Sequence, residues 1–499
     1  MSVAEVQPLL TAAEAYPELE KLFLRAETSV RASFRIFDLT TPLYAPEARE
    51  VGVDWFDLLV ATLRRGVTVT FTLADFDPLL ATDLHAQSWR SARQFWAAAD
   101  CAPPGRLRFR VALHGARPSP MVTRLMQPFM RRKLAAHAAR VRALSDRQAS
   151  AWLLERPGVR AHLGSRGGRQ LLDLHPATHH QKLAVFDERV LFIGGLDVNP
   201  RRYDDPAHTR AAAQTWQDVS VIASGRVVAD AVAHLKSLEG AETPPPSRHF
   251  LITKSAQERG RGLRLSPRTV DAGLERATLE QIRKARHLVY IETQFFRSRR
   301  IAEALAAQAR ANRDLGLILI LPAAPEDAAF HGSTGLETRY GEYLQARAVR
   351  RVRRAFGARA FVGMPVRPRR RHSDGRDTAE GAPAIYIHSK VSVADDDVAV
   401  VSSANMNGRS LRWDTEAGLR LDDPAQVATL RRRLFDHWLP IGAEEALYRS
   451  TTAVAAWSAL AQTNRTSPPE ARRGFIVPYD VRPAEELGMA VPLVPEETV

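Results

Sequence analysis

Two eight-residue stretches, HQKLAVFD at 180–187 and HSKVSVAD at 388–395, follow one pattern, H-x-K-x4-D. The chain has 15 histidines and only 7 lysines among 499 residues, so the number of matches expected by chance is about 0.01. An asparagine, Asn199 or Asn407, follows twelve residues after the aspartate of each stretch. The repetition of the whole unit indicates an internal duplication.

The order of the predicted strands repeats as well. Short apolar and β-branched runs occur in the first half at 33–39, 67–75, 108–114, 180–186, 190–195 and 217–223, and in the second half at 288–294, 315–322, 360–364, 387–393, 398–403 and 416–421. Helical patterns, such as those at 55–65 and 278–286, lie between some of these runs. The alternation predicts an α/β fold class with two domains of the same topology in tandem.

The predicted domain boundary lies next to three consecutive prolines at 244–246, because proline continues neither a helix nor a central strand. We predict an N-terminal domain at 1–243, a C-terminal domain at 244–465 and a Pro-rich tail at 466–499. The N-terminal domain carries an insertion at about 115–175, which has no counterpart in the second half.

Two basic segments have two interpretations each. Within 121–148, a helix predicted from Pro128 to about residue 144 carries apolar residues at three- to four-residue steps, with arginines between them. It fits an anionic membrane surface, or it packs its apolar stripe on its own domain. The Arg-rich loop at 365–381 is either a contact for anionic headgroups or a solvated insertion.

The composition narrows the class of protein. Hydrophobic residues make up 45% of the chain, which excludes a wholly disordered or collagen-like protein. The single Cys101 excludes an intrachain disulfide and a cysteine-based metal cluster. The net charge is +14, and 63 of the 70 basic residues are arginine. This excess fits a polyanion or an anionic surface as partner, and it also fits a general bias toward arginine.

Targeting signals are not apparent in the sequence. The N-terminal residues lack a basic region followed by an apolar one. The most apolar stretch, at 315–324, is far shorter than the ~20 residues of a membrane-spanning helix. We therefore predict no transmembrane segment and a cytoplasmic location, with peripheral contact at the inner membrane surface.

The spacing within each motif has a chemical consequence. Residues i and i+2 of a strand point to the same side, so His180 emerges with Lys182 and His388 emerges with Lys390. If the two halves pack face to face, one site gathers two histidines, two lysines and two asparagines. Ammonium and amide groups stabilise the oxygens of a phosphodiester during substitution at phosphorus. One neutral imidazole can attack phosphorus, while the other, protonated, supplies a proton to the leaving oxygen.

This chemistry requires no metal ion and no cofactor, since the protein supplies the cations. His175 and His179 form an H-x3-H pair that would fit a metal site on a helix. Pro176 lies between them, and Asp173 is the only nearby carboxylate. We therefore predict that no metal is bound.

The paired motifs resemble those of the phospholipase D superfamily. The segments at 194–205 (GGLDVNPRRYDD), 216–219 (WQDV) and 290–296 (YIETQFF) are similar to those of the phospholipase D enzymes proper. The resemblance covers most of the chain. It implies two phospholipase D-like α/β/α domains packed about a pseudo-twofold axis, with the site at their interface.

The resemblance also implies roles for individual residues. His180 would be the nucleophile that forms a covalent phosphohistidine, and His388 the general acid, although the symmetry of the motifs permits the reverse assignment. The further candidates are the other motif members Lys182, Lys390, Asp187 and Asp395 as catalytic residues, Lys182, Lys390, Asn199 and Asn407 as phosphate ligands, and Asp218 and Glu416 as carboxylates supporting the histidines. The two motif aspartates are alternatively structural residues that hold a turn.

The implied reaction is hydrolysis of a glycerophospholipid at a membrane surface to phosphatidic acid and free headgroup, with transfer to alcohols as a variant. Three alternatives remain. One is a phosphatidyltransferase of the cardiolipin synthase kind, and another is a phosphodiesterase acting on nucleic acid. Nucleic acid is the less favoured partner, because no recognisable nucleic-acid-binding module accompanies the motifs. The third is a non-catalytic protein that binds lipid surfaces. The sequence is compatible with a monomer and does not specify the headgroup.

Overall fold

A computed structural model describes residues 3–164, 171–242, 244–260, 262–371 and 375–499. Parts of the predicted insertion (165–170) and of the Arg-rich loop (372–374) lie outside these residues. The first half of the chain forms a seven-stranded sheet in the order β1-β7-β6-β5-β2-β3-β4. Its strands are β1 (Val6–Leu10), β2 (Ser29–Phe34), β3 (Thr68–Ala74), β4 (Leu107–Ala112), β5 (Leu183–Phe186), β6 (Val190–Gly194) and β7 (Val219–Ser224).

Helices cover both faces of this sheet. They are α1 (Thr11–Arg25), α2 (Pro46–Arg49), α3 (Trp55–Arg64), α4 (Thr82–Asp100), α5 (Pro120–Leu125), α6 (Gln127–Arg142), α7 (Asp146–Leu154), α8 (Pro157–Gly164) and α9 (Val227–Leu238). The apolar faces of α1, α3 and α4 pack together with one face of the sheet in a core that includes Phe23, Trp55 and Phe95. Helix α9 packs on the opposite face.

The second half forms a nine-stranded sheet in the order β18-β12-β11-β10-β15-β16-β17-β8-β9. The second-half strands are β8 (Phe250–Ala256), β9 (Arg268–Ala272), β10 (Leu288–Thr293), β11 (Gly316–Ile320), β12 (Ala360–Pro365), β13 (Thr378–Ala379), β14 (Ala382–Pro383), β15 (Lys390–Ala394), β16 (Val398–Ser402), β17 (Glu416–Leu421) and β18 (Ile476–Pro478), of which β13 and β14 form a separate ribbon. Strands β8-β17-β16-β15-β10-β11-β12 repeat the order of the first sheet strand for strand. The prediction of an α/β fold with two halves of the same topology is confirmed.

The helices of the second half are α10 (Gly273–Lys284), α11 (Arg299–Ala311), α12 (Glu326–Phe330), α13 (Leu336–Phe356), α14 (Gly408–Arg412), α15 (Pro424–Trp438), α16 (Ala453–Thr466) and α17 (Arg482–Leu487). Helices α10, α11 and α13 form an outer layer. A central core joins both sheets with α9, α15 and α16. Among the described residues, none of the helices is both long enough and apolar enough to span a bilayer.

The central core explains why the motif strands are rich in apolar residues. Leu183 of β5 and Val391 of β15 are both buried in it. Each motif strand is also flanked by antiparallel neighbours on both sides, β2 and β6 for β5, and β10 and β16 for β15. A strand covered on both faces is expected to read as a continuous apolar run. LAVF does so, and VSVA is interrupted only by Ser392, whose hydroxyl donates to Gln281 Oε1.

Residues 466–499, which we predicted as a separate Pro-rich tail, contribute to the second half of the fold. Strand β18 pairs with β12 at the edge of the nine-stranded sheet, and α17 packs against α13. Part of the predicted Pro-rich tail therefore packs on the second half of the fold. The prolines that suggested a tail flank short elements, and an edge strand tolerates proline because half of its backbone donors face away from the sheet.

The apolar stripe of the predicted basic helix packs on its own domain. Met130 and Leu134 of α6 contact a small core formed with Leu79, Leu172 and Leu174. Of the two interpretations given to this helix, the structure therefore shows the packed one. A different set of apolar side chains, described below, remains exposed in the same insertion.

Candidate active site

The two motif histidines lie where the halves of the chain meet. The backbone N–H groups of His180 and Gln181 both donate to the carbonyl of Thr415 in the second half. In the same way, the N–H groups of His388 and Ser389 donate to the carbonyl of Gln217 in the first half. Each motif therefore pairs with the residue that immediately precedes a candidate supporting carboxylate of the other half.

Each histidine consequently receives its carboxylate from the opposite half. His388 Nδ1 lies 2.6 Å from Asp218 Oδ2, and His180 Nδ1 lies 3.1 Å from Glu416 Oε2. An ionised carboxylate accepts from Nδ1–H, which fixes the tautomer and leaves Nε2 for chemistry. The geometry thus gives both imidazoles the same orientation relative to a buried acid.

The two histidines lie in similar electrostatic environments. Burial lowers the pKa of both imidazoles well below the usual range, and the neighbouring Lys182 and Lys390 lower it further. A charge on His180 also lowers the pKa of His388. Both rings are therefore neutral in the absence of an anionic ligand.

The two supporting carboxylates, Asp218 and Glu416, differ in their pKa values. Burial raises the pKa of Asp218 to about 6, with Lys390 opposing the shift. Burial raises the pKa of Glu416 to about 8, although Lys182 opposes the shift and the Ser403 hydroxyl donates to this carboxyl. At neutral pH, Asp218 therefore carries more negative charge and stabilises a protonated His388 better than Glu416 stabilises a protonated His180.

The motif lysines lie beside their own histidines. Lys182 Nζ donates to the His180 carbonyl and lies 3.8 Å from Asp197 Oδ2, and Lys390 Nζ donates to the His388 carbonyl. Burial lowers the pKa of Lys182, and it lowers that of Lys390 to about 7. A buried ammonium of this kind gains charge stabilisation from an anionic phosphate.

The two asparagines cap short helices with their side-chain oxygens. Asn199 Oδ1 accepts from the Arg201 N–H, and Asn407 Oδ1 accepts from the Ser410 N–H. This arrangement directs the side-chain NH2 groups away from the helices. Asn407 Nδ2 donates to the Val499 carbonyl at 3.1 Å, so phosphate binding by this amide requires that hydrogen bond to be exchanged.

The structure places Asp187 and Asp395 away from the motif histidines, in the turn-holding positions that are the alternative interpretation of these aspartates. Both lie at the far end of the motif strand from the histidine, and the four residues of β5 alone span roughly 13 Å at 3.3 Å each. Asp187 accepts backbone N–H bonds from residues 27–29, where β2 begins. Asp395 accepts the equivalent bonds from 286–288, before and at the start of β10. Both aspartates hold turns.

Sequence reasoning missed three residues of the site. Asp197 is buried close to Lys182, and its counterpart in the second half, Asn405, is uncharged. The Trp216 ring lies 4.4 Å from the His388 ring. Arg35, directly after β2, is close enough to lower the pKa of His180. Aligning the two halves would have revealed Asp197, because it precedes Asn199 by two residues as Asn405 precedes Asn407.

His175 and His179 do not converge on a common ligand. The His179 ring is 4.6 Å from that of His114, while His175 Nδ1 lies 3.1 Å from the His114 carbonyl. Throughout the described ranges, no group of three or more His, Cys, Asp or Glu side chains is arranged to hold a metal ion.

Comparison with known proteins identifies a protein family to which this chain is similar. The family model described as "Cardiolipin synthase, PLD-like domain" matches residues 278–438, which include the second motif. Phospholipase D1 of Schizosaccharomyces pombe is 25% identical over 338 residues, and phospholipase D beta 1 of Arabidopsis thaliana is 21% identical over 375 residues. The chain is thus similar to members of the phospholipase D superfamily.

These matches within the phospholipase D superfamily are partial. The two relatives match 47% and 50% of this chain, and the matched regions span only 24% and 35% of the relatives' own lengths. Among solved structures, a phosphatidylserine synthase from Haemophilus influenzae aligns with a TM-score of 0.49 at 14% identity, over 87% of this chain and 86% of that one.

Proposed function

We propose that this protein is a phospholipase D-type phosphodiesterase that converts a glycerophospholipid to phosphatidic acid and free headgroup through a covalent phosphohistidine. One observation carries the proposal. Each motif histidine is held at Nδ1 by a carboxylate that belongs to the other half of the chain. Two such imidazoles are what a two-step substitution at phosphorus requires, one as nucleophile and one as proton donor.

In the first step, Nε2 of His180 attacks phosphorus, and the bond from phosphorus to the headgroup oxygen breaks. His388 donates its Nε2 proton to that oxygen, and the headgroup leaves as an alcohol. This assignment is supported by Asp218, which stabilises a protonated His388 at 2.6 Å and whose pKa, raised by burial to about 6, lies below that of Glu416.

In the second step, His388 takes a proton from water as the water oxygen attacks phosphorus. The P–N bond to His180 breaks, and phosphatidic acid is released. An alcohol in place of water gives the transfer product by the same route. Lys182 and Lys390, with the amides of Asn199 and Asn407, would bind the non-bridging phosphate oxygens and stabilise charge in both transition states.

A lipid surface is the proposed location of the substrate, and the insertion supports it. Met121, Leu125 and Phe129 are 44%, 62% and 43% exposed, at four-residue steps along α5 and α6. Arg124 and the basic run 131–133 are exposed around them. An apolar row with basic neighbours fits the interface of an anionic bilayer. We call Met121, Leu125, Phe129 and Arg124 the insertion surface.

The proposed function is tested with phosphatidylcholine in detergent micelles, with and without ethanol. We expect phosphatidic acid in both cases and phosphatidylethanol when ethanol is present, and EDTA should leave both activities unchanged. His180→Ala and His388→Ala should each abolish turnover, whereas His287→Ala, at an exposed position outside the site, should not. Cleavage of DNA with no turnover of any phospholipid would overturn the proposal.

Trapping the intermediate separates the roles of the two histidines. A rapid alkaline quench during turnover of a phosphate-labelled lipid should capture label on His180. A His388→Asn variant given a substrate with a good leaving group should accumulate the labelled protein, because the second step lacks its base. Label on His388 in a His180→Asn variant would reverse the assignment.

A phosphatidyltransferase is the second candidate, since the matching family model carries the description "Cardiolipin synthase, PLD-like domain". The two reactions share the first step and differ in the acceptor. Incubation with phosphatidylglycerol distinguishes them: cardiolipin and glycerol would indicate transfer, while phosphatidic acid and glycerol would indicate hydrolysis.

A further inference from the structure

A cavity of about 950 Å³ opens between α11 and α13, and Glu485 and Gly488 of the C-terminal segment line its wall. None of the proposed catalytic residues lines it. Its volume lies within the range of small-molecule sites, which is roughly 300–1,000 Å³. The cavity is therefore large enough to hold a ligand of its own.

Arginine dominates the lining of this cavity. We call it the arginine cavity, and its six arginines are Arg310, Arg313, Arg347, Arg350, Arg351 and Arg354. The last four occupy positions i, i+3, i+4 and i+7 of α13, which places them along one face of the helix. Like charges at these spacings destabilise a helix unless an anion lies between them.

Only part of this charge is neutralised by the protein. Arg351 pairs with Glu303 at 2.8 Å, and Arg350 pairs with Glu485. Within the part of the chain that the structure describes, the other four arginines form no ion pair with a carboxylate. Arg310, Arg313, Arg347 and Arg354 are all exposed, so their guanidinium groups are accessible to a soluble anion.

The lining also indicates what kind of anion fits. One guanidinium group can donate two parallel N–H···O bonds to a phosphate. Several guanidinium groups spread along one helix face therefore suit an anion that carries several phosphate groups. The remaining lining residues include alanines, Tyr343 and Gly488, and none of the exposed large apolar side chains of the protein is among them. The arginine cavity therefore offers an acyl chain no large exposed apolar side chain of the kind found on the insertion surface.

We propose that the arginine cavity binds a soluble oligophosphate, either inorganic or carried by a nucleotide. The site is distinct from the proposed catalytic centre, and it goes beyond the proposed function. The half-buried Tyr343 ring lies on the wall of the cavity, and the base of a nucleotide can stack on it. Inorganic oligophosphate has no base, so a contribution of Tyr343 to binding would indicate a nucleotide.

The test is isothermal titration calorimetry of the full chain with inorganic tripolyphosphate and, separately, with ATP, each at about 0.1 M salt, where attraction beyond about 10 Å is screened. We expect saturable binding of at least one ligand, and a loss of affinity of about tenfold or more in R347Q/R354Q. The matched control is R106Q/R108Q, in which two exposed arginines at and before β4 are replaced, and it should bind as the unmodified protein does. Tighter binding of ATP that is lost in Y343A would identify a nucleotide.

Thermal unfolding should confirm that both double variants are folded, as expected for exposed positions. Absence of saturable heat with both ligands would overturn the proposal, as would an equal loss of affinity in both double variants, which indicates unspecific charge attraction. Binding to anionic vesicles that is lost in R347Q/R354Q, without any binding of tripolyphosphate or ATP, would assign the surface to a membrane and would also overturn it.

Discussion

His388 Nδ1 lies 2.6 Å from Asp218 Oδ2, although 170 residues separate the two along the chain. The contact exists because the backbone of His388 pairs with Gln217, the residue directly before Asp218. Thr415 and Glu416 provide the same arrangement for His180. Neither half therefore contains a complete site, and catalysis by one half alone is not expected.

The substitution Asp218→Asn tests this relationship. The amide would fill the same volume without a negative charge, so it would no longer stabilise a protonated His388. We expect kcat to fall about 10²- to 10⁴-fold with little change in KM, as for an orienting carboxylate behind a catalytic histidine. Steady-state kinetics with a soluble phosphodiester measures both parameters. A raised KM with unchanged kcat would instead indicate that Asp218 acts in substrate binding.

The pH dependence of kcat/KM follows from two buried groups that must be protonated for the reaction. Lys390 and His388 must both carry a proton, and burial lowers the pKa of Lys390 to about 7 and that of His388 well below its usual range. Deprotonation removes positive charge as the pH rises, so kcat/KM should decrease as the pH rises through about 7, because this parameter reports on the free enzyme. Initial rates from about pH 5.5 to about pH 9 test this, and an increase over that range would contradict it.

The motif aspartates should affect stability rather than chemistry. Asp187→Asn and Asp395→Asn remove the charge and replace the oxygen that accepts from the Glu27 or Arg286 N–H by an NH2 group, which cannot accept. Asparagine tolerates the positive φ found at both positions. We expect each to lower the free energy of unfolding by about 2–3 kcal/mol, with kcat of the folded protein nearly unchanged.

Urea unfolding and kinetics at low temperature separate these two effects. Asp397→Asn, at an exposed ion pair with Arg286, is the matched control and should change stability by less than about 1 kcal/mol. A large loss of kcat in a stably folded Asp187→Asn protein would restore this aspartate to the catalytic set.

The insertion surface gives a prediction about membranes. Leu125→Ser combined with Phe129→Ser should weaken binding to vesicles of phosphatidylcholine and phosphatidylglycerol by about tenfold or more, since two apolar side chains no longer enter the interface. Turnover of bis(p-nitrophenyl) phosphate should be unaffected. Sedimentation with vesicles measures the binding, and Ile441→Ser, which alters a fully exposed side chain elsewhere, is the control. Equal vesicle binding by the double variant would exclude this surface.

Much of the fold was predictable because strand formation here depends on local apolar periodicity. Each of the twelve predicted runs overlaps a strand of the two sheets. The missed strands β1, β8, β9 and β18 lie at or next to a sheet edge, where pairing is set by partners distant in the sequence. Strand β18 illustrates the reason: Val477 pairs with Met364 of β12, and nothing in IVP alone indicates that contact.

The sequence by itself determined the chemistry of the candidate site, because His180, Lys182, His388 and Lys390 recur at a spacing that chance does not produce. Only the tertiary structure decided which groups act on which. Each half supplies the carboxylate for the histidine of the other half, because the backbone of each histidine pairs across the interface. Asp187 and Asp395 lie outside the site because a whole strand separates each of them from its histidine. Spacing along a strand is a local property, whereas the contacts across the interface depend on how two distant sheets pack.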